Sequence, residues 1–321
     1  MAVRTPLIPF TGAAKSANSL LIKPESLQPT GAFKLRGAYN AVYAVTRDLD
    51  SCALPAGVVA HSSGNHGFAV AYAARLLGIS AAIVVPVNAP AVKTEAIAAT
   101  GAELVRVEPT LAARIAATEE IARVRGYHPV APFDDRDVIA GQGTIGLELA
   151  EDFGAEPGPG AKRPAAVLVP VSGGGLISGI AVAVKSLLPG TRVIGVEPEL
   201  AADARDSLRA GTRVAWTSAQ TARTRADALR VEQVGELTFP HIQAYVDDIV
   251  TVSEAEMLDA IRELARRARL VAEPGGAAAV AAALYRDASE LGVTPASDQP
   301  VVAVLSGGNV DPTLLADILR P

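Results

Sequence analysis

Residues 165–179 read AAVLVPVSGGGLISG and join an apolar run, three consecutive glycines and a segment with helical spacing. The apolar run is continuous rather than alternating, which indicates a strand buried on both faces of a largely parallel sheet. The glycines would let backbone N–H groups approach an anion, and the positive end of the following helix would face the same anion. A tight turn without any ligand explains this stretch equally well.

The same order of strand, turn and helix recurs along the chain. Apolar runs occupy residues 57–63, 81–86, 102–107, 165–171, 192–198, 248–253 and 300–306. Helical spacing occupies residues 67–77, 92–100, 110–125, 143–153, 176–188, 254–268 and 276–285. This alternation predicts an α/β protein. We expect a small domain of residues 55–132, inserted into a large domain formed by residues 1–54 and 133–321. The Pro- and Gly-rich residues 154–164 predict an exposed loop.

Composition excludes several classes of protein. The chain has 321 residues with a net charge of −5, which argues against a nucleic-acid partner. The single cysteine, Cys52, cannot form an intramolecular disulfide. Residues 164–184 carry no charge, but prolines and glycines interrupt them, so they do not predict a membrane span. The N-terminus lacks a signal-peptide pattern. We therefore expect a soluble, cytoplasmic protein without a membrane partner.

Polar residues follow three other predicted strands. The motif HSSGNH at residues 61–66 places hydroxyl, amide and imidazole groups at a helix start. Taken alone, an ordinary cluster of N-capping residues explains this motif. The motif LSGGN at residues 305–309 carries Ser306. After the strand at 192–198, Glu197 and Asp203 supply oxygen ligands of the kind that Mg²⁺ or Ca²⁺ prefers. The helix dipole also explains these two acids.

Other motifs are weak or absent. Lys34, in SLQPTGAFKLRGAYNAV at residues 26–42, is an unremarkable solvated lysine when taken alone. The histidines show no paired spacing for zinc. The glycine turn does not match G-x-G-x-x-G, because Ser178 occupies the place of the third glycine, and no Gly-Lys-Ser/Thr of a P-loop follows it. The G-x-S-x-G elbow of serine hydrolases is missing from the sequence.

Taken together, the motifs resemble the fold-type II pyridoxal-phosphate enzymes, in the branch of threonine/serine dehydratases and serine racemase. Six segments occur in the family order: residues 23–40, 62–67, 138–148, 170–180, 196–198 and 305–311. The resemblance implies a tryptophan synthase β-like α/β fold with two open twisted sheets flanked by helices. It also implies pyridoxal 5'-phosphate as cofactor, a small amino acid as substrate and a homodimer. A regulatory domain is not expected.

The resemblance assigns roles to individual residues. Lys34 would be the Schiff-base lysine that moves the α-proton, and Ser63 would act from the opposite face. The residues that would bind the cofactor are Phe33, Lys34, Asn65, Ser172, Gly173, Gly174, Gly175, Leu176 and Ser306. Those that would bind substrate are Ser62, Ser63, Asn65, His66 and Arg114. A Mg²⁺ or other divalent cation would be held by Glu197, the carbonyl of Ala201 and Asp203.

These roles favour an ammonia-lyase that converts L-threonine or L-serine to a 2-oxo acid and ammonia. Lys34 must be neutral to attack an aldehyde, which requires burial. Ser306 at the pyridine nitrogen would weaken the electron sink and suit rapid β-elimination. Ser63 leaves open an amino-acid racemase, of serine or aspartate type, or a hydroxyaspartate dehydratase. Ala228 stands in place of a Gly that is usual in the family, and Val231 stands where racemases have a Ser. A cofactor-binding protein without activity is the third alternative.

Overall fold

The computed structural model describes residues 1–12, 14–16, 18–47, 55–89, 91–154 and 163–320. Cys52 and residues 155–162 of the predicted loop lie outside the described residues. The chain divides into two compact units. The small unit comprises Met1–Val3 and Lys34–Gly141, and the large unit comprises Arg4–Phe33 and Gln142–Pro321. Each unit contains one sheet with helices, which confirms the predicted α/β class.

The strands are β1 (Ile8–Phe10), β2 (Leu20–Pro24), β3 (Gly57–His61), β4 (Ala81–Pro86), β5 (Glu103–Val107), β6 (Tyr127–Pro129), β7 (Ala166–Pro170), β8 (Arg192–Pro198), β9 (Asp248–Val252) and β10 (Val301–Leu305). The helices are α1 (Lys34–Arg47), α2 (Asn65–Leu77), α3 (Ala91–Ala98), α4 (Leu111–Arg125), α5 (Arg136–Asp152), α6 (Gly175–Leu187), α7 (Asp203–Ala210), α8 (Ser218–Thr221), α9 (Thr238–Tyr245), α10 (Glu254–Glu263), α11 (Pro274–Tyr285) and α12 (Pro312–Leu319). Short 3₁₀ turns lie at Glu25–Leu27 and Asp227–Leu229, and a π-helical turn at Leu264–Ala268 follows α10.

The sheet of the small unit is parallel, with the order β5-β4-β3-β6. Successive side chains of a strand point to opposite faces. On one face, Val58 and Ala60 of β3 pack into the core formed with α1 and α2. On the other face, Val59 packs with Ile121 of α4. Both faces of β3 are therefore covered, as its continuous apolar sequence predicts.

The sheet of the large unit has the order β1-β2-β10-β7-β8-β9 and is parallel except for β1. Every residue of β7 and β10 is buried. Ala166 and Leu168 of β7 pack in the core that includes the Ala-rich α11. Val167 and Val169 pack in the core that includes α6. The uncharged residues 164–184 therefore include β7, a turn and most of α6, as predicted.

The bounds of the units differ from those of the predicted domains. The predicted small domain began at residue 55, whereas the small unit also includes α1. Leu35, Ala38 and Val42 of α1 pack with α2 in one core, which explains the difference. Gly37 and several β-branched residues lower the helix propensity of α1, so tertiary packing rather than local sequence stabilises it.

In the part of the chain that the structure describes, we find no helix with the length and apolar character that crossing a bilayer requires.

Candidate active site

Lys34 is the first residue of α1, and its side chain is half-buried. Its Nζ donates a hydrogen bond to the carbonyl of Pro132 at 2.5 Å. Burial lowers the pKa of Lys34 from 10.5 to about 8. At neutral pH the population of neutral amine is therefore roughly 300-fold larger than for an exposed lysine. Lys34 has the protonation behaviour that a nucleophilic amine requires.

The residues before Lys34 are held by the end of β10. The N–H of Phe33 donates to the carbonyl of Ser306 at 3.0 Å, and Ala32 forms a bridge with Gly307. Asn309 Nδ2 donates to the carbonyl of Thr30 at 2.8 Å. Residues 30–33 and 306–309 thus form one bonded pair of loops, and Phe33 packs against the core beside α6.

Ser306 is buried at the end of β10, and α11 contributes to its surroundings. The N–H of Ser306 donates to the carbonyl of Gly276 at 3.3 Å. The Glu273 carboxylate lies against Gly307, so a Cβ at position 307 would overlap it. No motif in the sequence indicates this contact between Glu273 and Gly307.

The motif HSSGNH forms the turn between β3 and α2. Ser62 Oγ accepts a hydrogen bond from the N–H of Gly64 at 3.2 Å. A Cβ on Gly67 would overlap the carbonyl oxygen of Ser62, so only glycine lets the first turn of α2 approach this closely. Ser62, Ser63 and Asn65 are therefore presented at the start of α2, as the sequence predicts.

The ring of His66, a predicted substrate-binding residue, is buried and contacts a backbone carbonyl. Its Nε2 lies 2.9 Å from the carbonyl oxygen of Val130. Since a carbonyl only accepts, Nε2 carries the hydrogen and Nδ1 is without one in the neutral ring. Burial, together with the charge of Lys34, lowers the pKa of His66 from 6.5 to about 3. The backbone N–H of His66, in the first turn of α2, is the group that could donate to a carboxylate.

Arg114 lies near His61 at one end of the small sheet. Val59 of β3 packs with Ile121 of α4, and His61 is on the same face of β3 two residues further on. Arg114 shares the sheet-facing side of α4 with Ile121, two turns before it. Burial first, and then the charge of Arg114, lower the pKa of His61. The structure therefore brings the Arg114 side chain near the first residue of the HSSGNH turn.

The glycine turn joins β7 to α6 in the large unit. Gly174 has a φ of +92° and precedes the first residue of α6, and Leu176 is buried. The carbonyl of Gly173 accepts from Thr238 Oγ1 at 2.6 Å and from the N–H of Gly235 at 3.2 Å. The sequence predicts this turn but not α9, which begins at Thr238. The short α9 has no glycine or capping motif that identifies it.

Glu197 and Asp203 are buried where β8 leads into α7. Glu197 accepts hydrogen bonds from the N–H groups of Ala204 at 3.1 Å and Arg205 at 2.8 Å. Neither carboxylate oxygen of Asp203 has a hydrogen-bond partner among the described residues. Burial raises the pKa of Glu197, helped by the charge of Asp203, and burial raises the pKa of Asp203 to about 7.

The third predicted ligand, Ala201, lies between these two acids in the sequence and is also buried. A carbonyl would therefore have to complete the set, because no group of three or more His, Cys, Asp or Glu side chains suited to a metal occurs among the residues described. The unsatisfied oxygens of Asp203 are costly in isolation, and a bound cation would relieve that cost.

The two residues that depart from the family pattern lie before α9. Ala228 is exposed in the 3₁₀ turn Asp227–Leu229, and Val231 is half-buried. A Cβ built on Gly275 would lie 3.5 Å from the Cβ of Ala228. Ala228 is thus close to the first turn of α11, which also carries the neighbours of Ser306.

The chain is similar to several known enzymes in both sequence and fold. Residues 2–307 match the family model described as pyridoxal-phosphate dependent enzyme. The chain is 40% identical over 292 residues to the L-threo-3-hydroxyaspartate ammonia-lyase of Saccharomyces cerevisiae, covering 91% of this chain and 83% of that protein. It is also 40% identical to the L-threonine ammonia-lyase of Thermotoga maritima, covering 95% and 71%. Maize serine racemase matches with a TM-score of 0.88 and 35% identity, covering 98% and 91%.

Proposed function

The chain belongs to the pyridoxal-phosphate-dependent enzyme family, and on that premise we propose that it is an ammonia-lyase acting on L-threonine or L-serine. The observation that carries the proposal is the desolvated amine of Lys34, whose pKa burial lowers to about 8. Two of the similar proteins are ammonia-lyases. Val231, in place of the Ser of racemases, further favours elimination.

The residues present fit pyridoxal phosphate. Gly174, at φ +92°, lets the turn of residues 172–175 present backbone N–H groups at the start of α6, a geometry suited to a phosphate. When bound, the cofactor supplies an electron sink that weakens the bonds at the α-carbon of an amino acid. The amides of Ser172, Gly173, Gly174 and Gly175 and the neighbouring Leu176 would hold the phosphate. Phe33 would pack on the ring, Asn65 would bond its hydroxyl and Ser306 its nitrogen.

Lys34 and the HSSGNH turn would handle the substrate. The Nζ of Lys34 would take the α-proton, because its lowered pKa leaves part of the amine neutral at physiological pH. Ser62, Asn65 and the backbone N–H of His66 would hold the α-carboxylate. In the net reaction the β-hydroxyl leaves as water and one water is consumed as ammonia departs. L-serine therefore gives pyruvate, and L-threonine gives 2-oxobutanoate.

The proposal predicts one 2-oxo acid and one ammonia for each L-threonine or L-serine consumed. The reconstituted protein is incubated with L-threonine, L-serine and D-serine, and oxo acid, ammonia and the enantiomer ratio are measured. Lys34→Ala should lower turnover by about a thousandfold or more, whereas Lys15→Ala, a change at an exposed lysine, should not. Exchange of serine enantiomers without oxo acid would instead identify a racemase using Ser63, and absence of any turnover would identify a binding protein.

A second candidate, a dehydratase of 3-hydroxyaspartate, is favoured by one observation. Arg114 lies near His61, the first residue of the HSSGNH turn, and its guanidinium suits a substrate with a second carboxylate. Arg114→Gln should then lower kcat/KM for 3-hydroxyaspartate by about tenfold or more, because a charge-assisted hydrogen bond is lost. The same change should alter kcat/KM for L-serine by less than about twofold.

The control for this prediction is Arg123→Gln, which makes the same change of charge on an exposed position of α4. It should affect neither substrate. An equal loss with both substrates in Arg114→Gln would assign Arg114 to the α-carboxylate, and no loss with either would remove Arg114 from the site.

We also propose that a divalent cation binds Glu197, the carbonyl of Ala201 and Asp203. The unpartnered oxygens of Asp203 support this proposal, and oxygen ligands are those that Mg²⁺ and Ca²⁺ prefer.

A further inference from the structure

The glycine turn is fixed from behind by residues 235–238, which we call the backing segment. Both hydrogen bonds to the carbonyl of Gly173 come from this segment, from Thr238 Oγ1 at 2.6 Å and from the N–H of Gly235 at 3.2 Å. Thr238 is fully buried. Ser178 Oγ, in the first turn of α6, donates to the carbonyl of Thr238 at 3.3 Å. The segment is thus bonded to both the turn and the helix that follows it.

The orientation of one peptide plane connects Thr238 to the predicted phosphate site. The carbonyl of Gly173 and the N–H of Gly174 belong to the same planar trans peptide and point in opposite directions. Because the carbonyl points to Thr238, the N–H of Gly174 points away from the backing segment. A Cβ at position 174 would lie 2.7 Å from Thr238 Oγ1. Thr238 therefore supplies one of the two hydrogen bonds that orient this peptide, and its Oγ1 leaves no room for a Cβ at position 174.

We propose that Thr238 is a positioning residue that orients the Gly174 N–H toward the phosphate of the cofactor and so raises the affinity of the protein for that phosphate. The inference rests on the proposed placement of the phosphate at residues 172–175. Thr238 acts through Gly173 and does not touch the cofactor. Without its hydroxyl, one of the two bonds that hold the peptide plane is lost. The N–H would then have to be ordered when the phosphate binds, which costs affinity.

The test compares pyridoxal phosphate with pyridoxal, which has the same ring and aldehyde but no phosphate. Apoprotein is titrated with each compound, and the dissociation constant of that compound is measured from the visible absorbance. Thr238→Val keeps the shape of the side chain and removes the donor. This change should raise the dissociation constant of pyridoxal phosphate by about tenfold and should change that of pyridoxal by less than about twofold. Thr238→Ser keeps the donor and should restore most of the affinity for pyridoxal phosphate.

Two further variants keep the result interpretable. Thr221→Val removes another buried hydroxyl that donates to a backbone carbonyl and should change neither dissociation constant. Thr238→Cys keeps a weak donor and should give an intermediate loss, so the inference remains testable if Thr238→Val does not fold. If Thr238→Val weakened the binding of both compounds equally, the effect would be a general one on stability, and the inference would be overturned.

Gly174→Ala separates failure of this inference from failure of the proposed cofactor site. If Gly174→Ala lowers the preference for pyridoxal phosphate over pyridoxal and Thr238→Val does not, the positioning role of Thr238 is wrong and the phosphate site stands. If neither variant changes the preference, the phosphate does not lie at residues 172–175, and both proposals fail.

Discussion

Lys34 shows how folding changes the chemistry of one side chain. An exposed lysine is almost fully charged at neutral pH and a poor nucleophile. Desolvation lowers the pKa of the half-buried Lys34 to about 8, while the carbonyl of Pro132 still accepts a hydrogen bond from its Nζ. The amine is therefore oriented and partly neutral. The family motif predicts the position of this lysine, whereas its burial depends on the folded chain.

His66 should make the stability of the protein depend on pH. Burial lowers the pKa of His66 to about 3 in the folded state, whereas it is 6.5 in the unfolded chain. Between these values the unfolded state binds the additional proton. The contribution of the neutral His66 ring to the free energy of unfolding is therefore fully present above pH 6.5, and it is lost as the pH falls toward 3. The loss should be about 1.4 kcal/mol per pH unit, measured by urea unfolding at pH 7 and pH 5.

His66→Gln isolates this contribution because an amide can donate to Val130 but does not titrate. The free energy of unfolding of the variant should fall by about 2 kcal/mol less than that of the parent between pH 7 and pH 5. His128→Gln, at an exposed position of β6, should retain the slope of the parent. An unchanged slope in His66→Gln would mean that the ring is not held neutral.

At the residue scale, side-chain direction limited what the sequence could predict. The motifs placed Ser62, Ser63 and Asn65 at the start of a helix, and the structure places them there. They could not show that the His66 ring turns toward Val130, since this contact joins residues 64 positions apart. Thr238 had no motif at all. Its relation to Gly173 arises only because α9 packs against α6.

At the scale of elements, strong apolar runs predicted strands within one or two residues. The strands β4 and β8 have the predicted bounds, and β7 and β10 are each one residue shorter at both ends. The strands β1, β2 and β6 were missed because they are short or carry polar residues. Lys23 in β2 is fully buried, since Thr5 and Glu148 pair with its Nζ at 2.6 and 2.7 Å. No pattern of hydropathy reveals a buried lysine with distant partners.

The connection from β8 to α7 should respond to divalent cations. With Mg²⁺ or Ca²⁺ bound at Glu197, Ala201 and Asp203, the two acids gain a counter-charge, and the melting temperature should rise. The free energy of unfolding would increase by about 2.7 kcal/mol at a cation concentration of 100 times the dissociation constant. The measurement is thermal unfolding with chelator and with increasing cation.

Asp203→Asn should abolish this response. In chelator it should be at least as stable as the parent, because it removes a buried charge without a partner. Glu199→Gln, at an exposed position of the same connection, should retain the full response. A response that survives in Asp203→Asn would place the cation elsewhere.

At the scale of the whole molecule, the sequence predicted the class, the parallel sheets and the family. The match of residues 2–307 to a pyridoxal-phosphate family model confirms the family. The limits of the two units could not be predicted, because they depend on whether α1 packs with α2 or elsewhere. The homodimer implied by the resemblance remains a prediction. Light scattering of the purified protein at several concentrations would measure its oligomeric state.

The sheet of the large unit has a consequence for how the chain is made. β2 lies between β1 and β10, and Leu20 is paired with Val301. A ribosome must therefore synthesise more than 200 intervening residues before β2 meets its second neighbour, whereas the strands of the small unit become available close together. Units tend to fold as they emerge during translation, and distant pairings form slowly. The large sheet is thus completed late, and until then nascent β2 exposes an unpaired edge that chaperones or neighbouring chains can bind.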